Sequence, residues 1–357
     1  MMDQQAENLL LRQAAAYPAL DAQDLVKALY QATFGCGHLI ADEAMGRKWL
    51  TDEMAQCAMP AGGQCPPLWE PLGEYSRVHL LPAREAGLSA DTLFSLFALS
   101  ARDHHGRMED FLLQLELLER MADTGRLPVP LVQSYLKDYR AQGCPAARHS
   151  AAFREAYAPA YRVIRSEYVP YLPLLAAMDR LLASGRPVTV AIEGGSASGK
   201  STLGQLLAEI YGCTLFHMDD FFLQPHQRTR ERFDEPGGNV DYERFREEVL
   251  LPLRSRQPFS YRPFSCRNMT LADPVRVEPG QLCVVEGAYS MHPTLAGEYD
   301  LSAFLHIPPQ IQAERILHRN GPVMQQRFLN EWIPLEMRYF QHCQVPERCS
   351  MIIRPLE

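Results

Sequence analysis

From Gly194 to Ser201 the chain reads Gly-Gly-Ser-Ala-Ser-Gly-Lys-Ser, and Thr202 follows. The spacing is G-x-x-x-x-G-K-[ST], which suits phosphate. Glycines let backbone N–H groups converge on phosphate oxygens where a Cβ would obstruct them. Along Gly194, Gly195, Ser196, Ala197, Ser198 and Gly199 those N–H groups form the candidate cradle. Lys200 supplies a point charge for the β- and γ-phosphates of a nucleotide. Ser201 offers a hydroxyl to Mg²⁺, and Thr202 is the last of the candidate nucleotide-binding residues. The run Val188–Ile192 (VTVAI) precedes the motif and the helical pattern Ser201–Ile210 follows it. A buried strand before and a helix after are the context that such a loop requires. The helix start near Lys200 adds a positive dipole end.

Two further strand patterns end in acids. CTLFHM runs into Asp219-Asp220, and LCVV runs into Glu286-Gly287. In open parallel sheets, ligands bind beyond the carboxyl ends of the strands. Transfer of a phosphoryl group to an alcohol needs a carboxylate that orients the hydroxyl and accepts its proton, and oxygen ligands for Mg²⁺. Asp219 is the candidate base, with Asp220 equally able to cap a helix. Glu286 is the candidate metal ligand beside Ser201.

These strands belong to an alternating pattern. Apolar runs at Val188–Ile192, Cys213–His217, Leu282–Val285 and Ala303–Ile307 are separated by helical segments. That alternation predicts an α/β domain with a mostly parallel sheet. A helix over Tyr171–Ala183, stopped by Gly185, leads into it. Before it the chain reads as mainly helical. Helices are expected over Ala22–Gln31, Ala90–Arg102 (with Asp91 as a possible cap) and Met108–Met121. The stretch Met59–Pro71 reads as a loop, Gly143–Pro145 as a break, and only Arg77–Leu81 as a strand. The expected division is a helical domain over 1–165 and an α/β domain over 166–357, with the boundary near 165–186.

In this order the segments resemble the uridine kinase and phosphoribulokinase group of P-loop kinases over about residues 186–345. GGSASGKST is similar to the uridine kinase loop. HMDDFF resembles the strand end holding the base in that group and in nicotinamide riboside kinases. GGNVDYERF resembles a segment whose aspartate holds ribose hydroxyls, and VVEGAY resembles the strand with the second acid. The resemblance implies a three-layer P-loop NTPase-type fold, ATP and Mg²⁺ as cofactors, and transfer to a primary hydroxyl, with Asp241 on the acceptor. It also implies an arginine-bearing lid over Ala313–Phe340, where Arg319 is the candidate for touching phosphate and Arg327 a candidate for the substrate. Arg315 and Arg338 lie in the same stretch. Tyr261 and Arg262 fall in the segment expected to face a base. This lid, ERILHRNGPVMQQRF, lacks the Arg-Asp pair usual in uridine kinases.

Bulk composition narrows the partners. The 357 residues are 46% hydrophobic and 22% charged, ordinary for a globular chain with real cores. A net charge of −8 argues against a nucleic-acid partner. No apolar run is long enough for a membrane span, and MMDQQAENLL is not a secretory signal. Nine cysteines without CxxC spacing read as reduced thiols of a cytoplasmic protein. The expected partner is a small nucleoside-like molecule, and a homo-oligomer stays open. The rivals are a kinase for another hydroxylated metabolite (sugar phosphate, pantothenate or nicotinamide riboside) and a nucleotide-dependent switch. In the first half, His38, Arg77, His79 and His149 lie in turn-flavoured contexts and are of types suited to acid–base or phosphate chemistry. Whether they meet in space is beyond the sequence.

Overall fold

The computed structural model describes residues 2–36, 42–59, 65–102 and 105–355. By its internal contacts the chain divides into two units, Met1–Leu172 and Pro173–Glu357.

The first unit holds helices α1 (Met2–Ala16), α2 (Ala22–Phe34), α3 (Glu43–Gln56), α4 (Leu80–Glu85), α5 (Ala90–Arg102), α6 (Met108–Asp123), α7 (Val132–Ala141) and α8 (Ala151–Tyr157). Its sequence pattern left one strand visible, but three are present. Strands β1 (Trp69–Leu72), β2 (Tyr75–His79) and β3 (Tyr161–Arg165) form an antiparallel sheet with β2 in the middle. The expected loop Met59–Pro71 therefore gives way to a strand at Trp69. Asp91 does not cap α5. The Thr92 N–H donates to Ser89 Oγ, one turn earlier, and Asp91 pairs with Arg47 instead. All five residues of β2 are buried. Leu25, Leu29, Phe94, Phe111 and Leu115 of the helices are buried as well.

In the second unit, α9 (Leu172–Leu182) leads into β4 (Val188–Gly194), the loop, and α10 (Lys200–Tyr211). Strand β5 (Thr214–His217) follows, then short helices α11 (Arg230–Asp234), α12 (Tyr242–Phe245) and α13 (Leu251–Ser255). Two small hairpin sheets come next. One pairs β6 (Phe259–Tyr261) with β9 (Val275–Val277), the other β7 (Phe264–Ser265) with β8 (Thr270–Leu271). Strands β10 (Leu282–Glu286) and β11 (Leu301–Leu305), helices α14 (Pro309–Arg327), α15 (Ile333–His342) and α16 (Val345–Arg348), and strand β12 (Met351–Ile353) complete it.

The main sheet is five-stranded, ordered β12-β11-β4-β10-β5, with every pairing parallel. Every residue of β10 and β11 is buried. Side chains alternate between faces along a strand, so both faces must be covered. Helix α10 packs on β4, β5 and β10. A separate cluster joins Ala191, Phe216, Cys283, Val285 and Phe304 of the strands to Phe245, Val249 and Phe340 of the helices. Each fully buried large apolar side chain contributes about 1.5–3 kcal/mol. From β4 the chain steps outward to β5, returns to β10 between them, and crosses to β11. The order therefore reverses at β4, and the crevice at its carboxyl end is where such sheets take ligands.

Candidate functional site

Strand β4 delivers the glycine-rich loop to that crevice. Gly194 has φ +150°, and a Cβ there would lie 2.6 Å from the Leu305 carbonyl oxygen. The chain turns off the sheet here because the neighbouring strand allows nothing larger than glycine. Gly199 caps α10 in the left-handed region. The first N–H groups of a helix have no intrahelical acceptor, so they face the loop's concavity. Lys200 Nζ lies across the loop and donates to the Gly195 carbonyl at 2.9 Å. Ser198 Oγ is buried and has no hydrogen-bond partner among the described residues.

Sheet register sets the acids. Glu286 pairs with Ile192 of β4 on one side and with His217 of β5 on the other. Its carboxylate thereby reaches Ser201 Oγ, 3.2 Å from each oxygen, and His217 Nδ1 at 2.5 Å. The hydrogen bond to Glu286 raises the His217 pKa, against the opposing pull of burial. Gly287 follows at φ +143°, where a Cβ would meet Met218 Cβ at 2.6 Å. This approach brings the ends of β5 and β10 together.

Asp219 lies two residues past the end of β5, in the 3-10 turn Met218–Phe221. The residue is exposed to solvent, yet protein atoms crowd its carboxylate on the inner side. That desolvation raises its pKa, Lys200 opposes, and Glu286 adds to the rise. No hydrogen bond from the described residues engages it. Asp220 is not a helix cap. It accepts from Tyr261 Oη at 3.2 Å, and its carbonyl accepts from Arg244.

Glu193, just ahead of the loop, is fully buried and accepts from four protein donors. Its oxygens accept from the N–H groups of Gly194 (2.8 Å), Tyr289 (3.2 Å) and Met291 (3.0 Å) and from Tyr339 Oη (3.0 Å). Burial pushes its pKa up to about 7, against those donors. It therefore ties the loop's root to the segment after β10 and to α15. Glu193→Gln turns an amide N–H against donors and is expected to cost about 1–3 kcal/mol. The raised pKa also sets a pH dependence. Between 4.5 and about 7 the unfolded chain releases this proton while the folded protein keeps it. Stability from this group is thus full below 4.5 and declines as pH rises to about 7. Thermal unfolding from pH 5 to 8 should show a shallower decline for Glu193→Gln than for the native chain. Equal slopes would assign the decline to other groups.

Helices α14 and α15 clip the loop's apex. Glu336 accepts from Ser196 N–H at 3.0 Å and from Ser196 Oγ at 2.5 Å, and Gln312 Nε2 donates to the Ser196 carbonyl at 2.8 Å. Burial raises the Glu336 pKa while the Ser196 bonds hold it down. These loop contacts come from Gln312 and Glu336, which the sequence did not single out. Arg319 is exposed and donates to Asn320, just before the kink at Gly321. Arg327 pairs with Glu331 and lies over Trp332. No hydrogen bond or ion pair ties Arg319 or Arg327 to the loop.

The other acceptor-side candidates are engaged within the protein. Asp241 is buried, caps α12 by accepting from Arg244 N, and accepts from Gln227 Nε2 at 2.8 Å. The Tyr261 ring stacks on Phe221, 5.5 Å between centroids, inside the core cluster. The Arg262 guanidinium donates to the Leu271 and Ala272 carbonyls and so braces its own hairpin.

A hard dication fits the oxygen donors Ser201 and Glu286, with His217 as the outer partner that orients the carboxylate. Among the described residues no cluster of three or more His, Cys, Asp or Glu is placed to hold a metal, and no helix is long and apolar enough to cross a membrane. All nine cysteines are free thiols.

Strand β4, the glycine-rich loop and α10 thus make a P-loop on a parallel α/β sheet, with two acids at neighbouring strand ends. Several solved structures are similar to this chain. A possible uridine kinase from Bacillus stearothermophilus shares 19% identity over 50% of this chain and 98% of its own, with a TM-score of 0.39. A fructose transport system kinase candidate from Silicibacter sp. TM1040 shares 21% over 47% and 89%, also at 0.39. Shikimate kinase from Bacteroides thetaiotaomicron shares 16% over 47% and 86%, at 0.27. No family model and no curated protein sequence matches the chain.

Proposed function

We propose that the second unit is an ATP-dependent kinase that transfers the γ-phosphoryl group to a hydroxyl of a small, nucleoside-like molecule. The observation that carries this is the position of Asp219. It is a carboxylate just past a strand end, with no hydrogen bond from the described residues, and within the electrostatic reach of Lys200 and Glu286. A nucleotide switch has no use for a free base there.

In this reading the N–H groups of the loop and Lys200 hold the β- and γ-phosphates. The acceptor oxygen attacks the γ-phosphorus, the bond to the ADP oxygen breaks, and Asp219 takes the hydroxyl proton. Its raised pKa suits a base that must bind a proton and later lose it. Ser201 and Glu286 would hold Mg²⁺, which supplies neutralisation of the phosphate charge. Glu193, Gln312 and Glu336 are positioning residues that fix the loop. The nucleoside preference rests on the resemblance of the segments around Asp219, Asp241 and Glu286 to uridine kinases. It is tested by the acceptor dependence of ADP release.

A further inference from the structure

The first unit contains a buried polar network that the phosphoryl-transfer reading does not use. Arg77 is 1% exposed. It pairs with Glu70 at 2.7 Å and donates to Gln31 Oε1 and Gln13 Oε1. Its guanidinium lies 4.8 Å from the centre of the Tyr161 ring. The Tyr161 hydroxyl in turn meets His149 Nε2 at 2.7 Å. Opposite, His149 Nδ1 meets Asp24 Oδ1 at 2.8 Å. Asp24 also takes the Ser150 N–H and hydroxyl. Despite burial, the bonds from His149 and Ser150 hold Asp24 down to about 2. An ionised Asp24 fixes the proton on Nδ1 and leaves Nε2 to accept from Tyr161. Three residues singled out in the sequence therefore converge here, since His79 also sets its ring against Tyr161, 5.9 Å between centroids. His38 lies outside the described residues.

Burying this network carries the desolvation cost of each charged group. The network ends at a cavity of about 340 Å³, a size suited to a small molecule. Its lining includes the polar side chains of Tyr161, His149 and Gln31 and the aromatic rings of Trp49, Phe94 and Phe97. Lys27 also faces it. Arg162 and Glu53, also in the lining, neutralise each other at 2.7 Å. Among the described residues Lys27 has only the Ala147 carbonyl as a hydrogen-bond partner, at 3.3 Å, which leaves two of its three donors unassigned there.

We infer that this cavity is a second ligand site, independent of the P-loop, for a small organic anion with a flat apolar body. Lys27 pairs with the anion, the aromatic side chains take the body, and the Asp24–His149–Tyr161 chain hydrogen-bonds its polar edge. Carboxylate and phosphate monoester share the required chemistry, and two probes separate them.

The experiment is calorimetric titration of the full chain with benzoate and with phenyl phosphate, using benzyl alcohol as the uncharged control. At least one anion should bind, and benzyl alcohol at least about tenfold more weakly. Lys27→Met should weaken the anion by at least about tenfold, and Lys200→Ala should leave benzoate binding unchanged. A second readout needs no variant. Burial first, then Arg77, brings the Lys27 pKa down to about 8. Benzoate affinity should therefore fall as pH rises through about 8. The other groups facing Lys27 are Asp24 on its own helix, Arg77 on β2, Glu53 on α3, Arg148 and His149 ahead of α8, and Tyr161 and Arg162 on β3. Asp24 and His149 are shifted down and Tyr161 and Arg77 up, away from that window. The inference is overturned if neither anion binds at about 10 mM, a level that detects even weak sites. Equal binding of benzyl alcohol, native-like binding in a folded Lys27→Met, a flat pH series, or benzoate binding lost in Lys200→Ala would each overturn it as well.

Discussion

Replacing Lys200 with alanine is expected to cut turnover roughly a thousandfold while the protein stays folded. At about 4 Å from a phosphate oxygen, an ammonium is worth about 4 kcal/mol at the effective dielectric of a partly exposed site. Each 1.36 kcal/mol of transition-state stabilisation is about a factor of ten in rate. Against that, Lys200 makes one hydrogen bond, to the Gly195 carbonyl, worth about 1 kcal/mol to the fold. Initial rates of ADP formation beside thermal unfolding of the same sample separate the two effects. A folded Lys200→Ala protein with near-native turnover would remove the kinase reading.

Asp219→Asn is expected to lower kcat by at least about a hundredfold, the lower range for loss of a general base. ATP affinity should change little, because no hydrogen bond joins Asp219 to the loop. The variant keeps the shape of the cleft and removes the basic oxygen. The acid limb of the rate profile gives a second measure. Asp219 must be ionised to take a proton, so activity rises with pH through its pKa. Burial and Glu286 place that pKa above 3.8, with Lys200 opposing. The limb should therefore lie above the ordinary aspartate range in the native protein and be absent in Asp219→Asn. A loss confined to ATP affinity would make Asp219 a nucleotide or metal residue instead.

The loop and the strands around it were legible because their signals are local. Gly194, Gly199 and Lys200 are needed within eight residues, and VTVAI is apolar because both faces of β4 are covered. The missing parts are long-range. Strand β3 pairs with β2 across more than eighty residues, and β1 contains Pro71, which reads as a loop. Strand β12 has three residues and pairs only with β11. Glu336 lies 140 residues from Ser196, and on a helix it reads as one more surface acid. Glu193 sits inside the motif's own neighbourhood. Its four donors come from the loop, the segment after β10 and α15, which no local pattern announces. Asp91 shows the opposite failure. Ser89 and Asp91 are both good capping types, and only the observed bond to Thr92 distinguishes them. The arginines of the lid stretch show how far a resemblance can exceed the geometry. Their types fit phosphate, but α14 bends at Gly321 and places Arg319 beside Asn320.

The central claim is that Asp219 serves an acceptor hydroxyl on a P-loop that holds ATP. The most direct measurement is ADP release from MgATP by the full chain, with no acceptor and with nucleosides or phosphorylated sugars added singly. The account predicts slow release alone, strong stimulation by at least one hydroxylated acceptor, largest for a nucleoside, and loss of that stimulation in Asp219→Asn. ADP release that is the same with every acceptor as with none, and unchanged in Asp219→Asn, would contradict it and leave a nucleotide-dependent switch.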